Sequence, residues 1–206
     1  MKISLAQDTI DKDELADLCS WIMQGNRLTK SSETIRFEKE FSSYMGSSFA
    51  IMTNSGSSSN LLMASALQQS GRLKSNVVIA PAVSWVTTVT PFLQLGFNVI
   101  LCDCDKKDLG YDVEHFEKLC YEHSPSVAIL VHVLGHSNSM MEIKEICRKY
   151  DVLLLEDTCE SLGSEISGKK LGTLSTAGSF SFYYGHHIST IEGGMVVTDD
   201  HELYEI

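Results

Sequence analysis

Residues 127–157 read VAILVHVLGHSNSMMEIKEICRKYDVLLLED. Two apolar runs, VAILVH (127–132) and VLLLED (152–157), enclose a stretch in which Ile143, Ile146 and Cys147 recur at helical spacing. The runs are continuous rather than alternating, which suits strands buried on both faces of a sheet. Strand, helix and strand in that order predict a right-handed crossover between parallel neighbours.

The same pattern extends in both directions. Upstream lie the strand candidates FAIMTN (49–54), NVVIAP (76–81) and NVILCD (98–103); downstream lie SFSFYY (179–184) and GMVVTD (194–199). Val113, Phe116, Leu119 and Cys120 share one helical face in DVEHFEKLCYEH. Two further helices are predicted first, one with Leu15, Leu18, Cys19 and Ile22 on a single face, the other with Ile35, Phe41 and Tyr44. The fold class expected is α/β, a seven-stranded, mostly parallel sheet with helices on both faces. No repeat, low-complexity tract or Pro/Gly/Ser linker divides residues 1–206.

Composition narrows the function. Lys+Arg number 16 against 27 Asp+Glu, for a net charge of -11, and 43% of residues are apolar against 21% charged. That is the balance of a folded globular chain. It argues against a nucleic-acid groove, which needs clustered cations. No apolar run approaches the roughly 20 residues that span a bilayer. The opening MKISLAQDTIDKDE (1–14) turns acidic where a signal peptide carries its apolar core. A soluble, cytoplasmic protein is expected. Cys19, Cys102, Cys104, Cys120, Cys147 and Cys159 form no C-x-x-C pair and no structural zinc spacing, so they read as reduced thiols rather than a disulfide framework. Cys102 and Cys104 are expected to face the same side of the sheet.

In open parallel sheets, ligands bind beyond the carboxyl ends of the strands. After the first strand, Asn54-Ser55-Gly56-Ser57-Ser58-Ser59-Asn60 opens a helix, and its small, hydroxyl-rich backbone suits a phosphate. It lacks the Lys of a triphosphate loop, and the same residues also suit an ordinary N-cap. After the second strand stands Trp85, suited to stack on a flat ring or to cover the edge of the core. After the fifth, Asp157 is costly to bury without a cationic partner. A protonated ring nitrogen on a ligand would serve, and a helix N-cap is the plainer alternative. Between the last two strands lie His186 and His187, suited to a general base or to a solvated loop, with no third side chain at metal-ligand spacing.

The order S-G-S, P-A-V-S-W, L-E-D-x-x-E and S-F-S-F-x-x-x-H-H-x-x-T-x-E-G-G resembles the DegT/StrS-type sugar-nucleotide aminotransferases over Gly25 to Asp199. The resemblance implies an aspartate-aminotransferase-like, pyridoxal-phosphate fold type I large domain spanning 1–206, with the family's smaller C-terminal domain absent from this chain. In the aminotransferases a Lys stands where His186 stands and carries the cofactor as a Schiff base. Here no Lys follows Lys170. The exchange resembles the family's sugar 3-dehydratases, with the subgroup acting on GDP-4-keto-6-deoxymannose nearest in type. The iron–sulfur CDP-4-keto-6-deoxyglucose 3-dehydratases and a truncated, non-catalytic cofactor-binding homologue are the alternatives.

Carried over residue by residue, the resemblance implies that Gly56, Ser57 and Ser181 hold the phosphate of pyridoxal 5'-phosphate or pyridoxamine 5'-phosphate. Trp85 would stack on its ring, Asp157 would pair with the ring N–H, and Glu160 would lie near the ring hydroxyl. His186 would be the catalytic base; His187 receives no role. The implied reaction removes the C3 hydroxyl of a nucleotide-linked 4-keto-6-deoxyhexose, with glutamate as amino donor. The implied assembly is a homodimer and the implied pathway supplies deoxysugars for lipopolysaccharide O-antigen. An ordinary aminotransferase would need Lys169 or Lys170 to reach the site from the G-K-K-L-G turn.

Overall fold

In the computed structural model, which describes residues 10–206, the chain runs α1 (Lys12–Met23), α2 (Ser32–Met45), β1 (Phe49–Thr53), α3 (Gly56–Gln69), β2 (Val77–Pro81), α4 (Val86–Gln94), β3 (Asn98–Cys102), α5 (Val113–His123), β4 (Val127–Val131), α6 (Met140–Tyr150), β5 (Leu153–Asp157), β6 (Glu165–Ile166), β7 (Lys169–Lys170), β8 (Ala177–Ser181), β9 (Gly194–Thr198) and α7 (His201–Glu205). Most of the signal-peptide reading falls on residues 1–9, outside the described residues. Among the described residues no helix is long and apolar enough to cross a membrane.

Seven strands form one sheet in the order β1-β9-β8-β5-β4-β2-β3. All run the same way except β9, which is antiparallel to both of its neighbours. The continuous apolar runs have the cause the sequence suggests. Along β4, Ala128 and Leu130 enter one core with Phe116, Ile143 and Cys147 of α5 and α6. Val127 and Ile129 enter the opposite core with Met63, Leu67 and Phe92 of α3 and α4. Successive strand side chains alternate faces, so β4, covered on both sides, is apolar at every position.

Four expectations need correction. The strand expected at 179–184 is Ala177–Ser181. It begins two residues earlier because Gly178 lies flat against Gly172, where a Cβ would meet the Gly172 carbonyl oxygen at 2.2 Å. Close backbone approach, which apolar counting misses, makes that strand. At its other end the chain turns away, with the His186 amide donating to the Tyr183 carbonyl at 2.9 Å, and Tyr183 and Tyr184 are exposed. Helix α1 forms, but Leu15, Leu18, Cys19 and Ile22 are exposed and none of its residues is buried. Helix α2 buries Phe41 and Met45 and packs Phe37 beside them, a four-residue spacing that turns Ile35 and Tyr44 to solvent. Cys104 lies past β3 in an isolated bridge to Tyr111, while Cys102 is buried at the strand end. The β6–β7 hairpin, too short to show a period, was not anticipated. All six cysteines are free thiols.

Candidate active site

The carboxyl ends of β1, β2, β4, β5 and β8 lie along one edge of the sheet, and the singled-out residues follow them. Ser55 caps α3, its hydroxyl accepting the Ser58 amide at 3.1 Å. Thr53 and Ser59 share a hydroxyl contact of 2.7 Å across the same turn. The Gly56 and Ser57 amides precede the first intrahelical bond and lie at the positive end of the helix dipole. Gly56 sits where a Cβ would come within 2.7 Å of both Cys159 Sγ and Ser181 Cβ, so only a glycine brings these three segments together. The Ser57 hydroxyl donates to Thr87 Oγ1 at 3.0 Å. Gly56, Ser57 and Ser181 thus share one corner, with Thr87 as a fourth member.

Asp157, 5% exposed, ends β5. Its Oδ2 accepts Asn60 Nδ2 at 2.8 Å and Thr88 Oγ1 at 2.7 Å, and its Oδ1 accepts the Cys159 amide at 3.2 Å. These neutral donors stabilise a buried carboxylate without cancelling its charge. The N-cap alternative does not hold, because a turn rather than a helix follows Asp157. The core-covering reading of Trp85 does not hold either. The ring is 73% exposed at the start of α4, two and three residues ahead of Thr87 and Thr88.

The paired histidines differ. His186 is half-buried and its ring stands 6.1 Å from that of Tyr183 in an edge-on arrangement, while His187 is exposed. Burial pushes the His186 pKa below its ordinary value; Glu160 and Asp157 oppose that shift and His187 adds to it. The ring is therefore held toward its neutral, proton-accepting form. Glu160 is half-buried, and its Oε2 accepts the Leu134 amide at 2.9 Å, tying the turn after β5 to the loop after β4. Lys169 and Lys170 form β7, where Lys170 pairs with Glu165 at 3.2 Å and lies 4.8 Å from the Tyr44 ring centroid. Asn60, Thr87, Thr88 and Ser179 were not singled out from the sequence.

Residues 9–206 match the model of the DegT/DnrJ/EryC1/StrS aminotransferase family. A GDP-4-keto-6-deoxy-D-mannose 3-dehydratase of Yersinia pseudotuberculosis is 40% identical over 205 residues, 98% of this chain and 52% of that protein. A lipopolysaccharide biosynthesis protein of Salmonella typhimurium LT2, RfbH, is 35% identical over 175 residues, 82% of this chain and 40% of that protein. Among solved structures, a GDP-4-keto-6-deoxymannose-3-dehydratase with a trapped PLP-glutamate geminal diamine superposes with a TM-score of 0.92 at 38% identity, covering 100% of this chain and 53% of the other. The chain thus spans about half the length of these relatives. The sheet and its flanking helices are the pyridoxal-phosphate fold type I large domain, and the chain belongs to the DegT/DnrJ/EryC1/StrS aminotransferase family.

Proposed function

We propose that this chain is the large, cofactor-binding domain of a pyridoxal/pyridoxamine phosphate-dependent 3-dehydratase acting on a nucleotide-linked 4-keto-6-deoxyhexose. The observation that carries the reading is the half-buried His186 at the ligand edge, beside Asp157 and Glu160, where the family's aminotransferases have a Lys. An imidazole accepts and returns protons but cannot hold the cofactor covalently.

The residues fit such a cofactor. Gly56 lets Cys159 and Ser181 pack directly against the amino end of α3, so that Ser57, Ser181 and Thr87 gather at one helix terminus, the donor set an anionic phosphate needs. Asp157 presents an uncancelled carboxylate for a ring N–H. Trp85 offers an exposed aromatic face for stacking, and Glu160, by the family resemblance, would lie near the ring hydroxyl. When bound, the aminated cofactor supplies an electron sink that eases loss of the sugar C3 hydroxyl. His186 takes up the proton released at the reacting carbon and redelivers it to the departing hydroxyl. His187, facing solvent, takes no part in that transfer.

GDP-4-keto-6-deoxymannose is the favoured substrate over a CDP-linked sugar, because the 40% identical relative bears the GDP-linked name. Glutamate as amino donor, homodimeric assembly, a cytoplasmic location and a place in deoxysugar supply for lipopolysaccharide belong to the same reading. So does a second, smaller domain beyond residue 206. The test is product analysis by mass spectrometry with pyridoxamine phosphate, GDP-4-keto-6-deoxymannose and glutamate, in parallel with His186→Lys. A 3-deoxy-4-keto sugar from the native protein, lost in the variant, supports the reading. A 4-amino sugar with its C3 hydroxyl intact from the native protein overturns it.

A further inference from the structure

Directly before Asp157 stands a second buried carboxylate that this chemistry leaves unused. Glu156 is fully buried and, by strand alternation, lies on the opposite side of the sheet from Asp157. Its Oε2 accepts His132 Nε2 and the Gly172 amide, each at 2.9 Å, and its Oε1 accepts the Leu174 amide at 2.8 Å. His132, equally buried, donates its own amide to the Asp157 carbonyl at 3.2 Å and accepts the Ser161 hydroxyl at its carbonyl. One residue therefore grips both the end of β5 and the turn that carries Cys159 and Glu160.

The charge of the pair follows from its donors. His132 Nδ1 faces the Asn138 backbone amide at 3.3 Å and the Asn138 side-chain Nδ2 at 3.3 Å. The orientation of that side chain is set, because its Oδ1 accepts the Tyr111 amide at 3.0 Å and its Nδ2 donates to the Val131 carbonyl at 2.7 Å. Two donors aimed at Nδ1 make it the bare nitrogen, so the ring proton is on Nε2, donated to Glu156, and the ring is neutral. Burial opposes ionisation of Glu156, but three N–H donors, from His132, Gly172 and Leu174, meet its two oxygens and favour the carboxylate, lowering its pKa. Among the described residues no Lys or Arg pairs with it.

We propose that Glu156 works with Asp157: through His132 it positions the end of β5, and its uncancelled charge adds to that of Asp157 in holding a cationic ring nitrogen. The inference rests on the cofactor reading above. The titratable groups facing Asp157 from its own side are His186, Glu160 and Cys159, whose thiol is kept protonated by burial; on the Glu156 side there is His132.

The test reads the ring nitrogen alone. Pyridoxamine phosphate labelled with nitrogen-15 in the ring is bound at saturation and its protonation followed by NMR as pH is varied. Glu156→Gln is expected to weaken ring protonation about tenfold. His132→Gln, which keeps a donor toward Glu156 but alters the link to the end of β5, is expected to weaken it less than Glu156→Gln does. In the unmodified protein, nitrogen-15 shifts of His132 are expected to show one bare and one protonated nitrogen, a readout that survives if Glu156→Gln fails to fold. An imidazolium at His132, or a folded Glu156→Gln protein with unaltered ring protonation, overturns the inference and leaves the cofactor reading intact. Failure of pyridoxamine phosphate to bind removes that reading and the inference with it.

Discussion

Asn60 on α3 and Asp157 at the end of β5, 97 residues apart in sequence, meet at 2.8 Å inside the protein, Nδ2 donating to Oδ2. The amide cannot turn over, because its Nδ2 faces two acceptors, Asp157 Oδ2 and the Thr87 carbonyl at 3.2 Å, while its Oδ1 accepts the Ser179 hydroxyl at 2.6 Å. Asn60 thereby aims its donors at Asp157 and the Thr87 carbonyl and joins α3, α4, β5 and β8 at one point.

Asn60→Leu keeps the branched heavy-atom shape and removes both functions, leaving the Ser179 hydroxyl and one Asp157 lone pair without their partner. A loss of about 1–3 kcal/mol is expected in chemical denaturation. Weaker pyridoxamine phosphate binding should accompany it in a spectral titration. Native stability in this variant would mean that the contact contributes nothing.

Gly56→Ala tests the corner proposed for the phosphate. At an open first turn alanine is harmless, but here its Cβ falls 2.7 Å from Cys159 Sγ and Ser181 Cβ. Overpacking is expected to lower stability by about 1–3 kcal/mol. Adding Cys159→Ala should restore part of that loss, since the two sites are in contact and their effects are not additive. Thermal denaturation of the single and double variants reads both effects.

Trp85→Ala should separate binding from folding. With the ring 73% exposed, truncation is expected to change stability by no more than about 0.5 kcal/mol. Loss of a stacking face is expected to weaken cofactor binding by about 1 kcal/mol, with Trp85→Phe recovering part of it. A large drop in melting temperature would reassign the residue to the scaffold.

Glu160→Gln and His187→Ala should move the pH profile in opposite directions. Glu160 raises the His186 pKa and His187 lowers it, against a larger downward push from burial. The proton acceptor works when neutral, so a lower pKa extends activity to lower pH. Glu160→Gln keeps an acceptor for the Leu134 amide and is expected to shift the acid limb of kcat/KM downward; His187→Ala is expected to shift it upward. Because His187 is exposed, its effect should shrink as salt rises. A Glu160→Gln limb that moves upward would contradict the geometry.

Much of the fold was legible because parallel strands covered on both faces leave a plain local trace. The runs at 127–132 and 152–157 correspond to β4 and β5 to within a residue at each end. Where the trace was not apolar it misled. Strand β8 begins at Ala177 and Gly178, whose contribution is the absence of a side chain against Gly172. The stripe of Leu15, Leu18, Cys19 and Ile22 has helical spacing but no buried member.

By itself, the sequence determined where most of the sheet strands and several of the helices lie, that ligand-end residues follow the strands, and that an imidazole stands where a family Lys is expected. Those are properties of residue type and local period. Only the tertiary structure decided that His186 turns inward and His187 outward, that Asn60 and Thr88 flank Asp157, and that Glu156 and His132 form a buried pair behind it. The reason is physical: the direction of a side chain on a loop, and the partner of a buried polar atom, are set by how distant helices and strands pack. A period of two or 3.6 residues carries no record of what lies across the sheet.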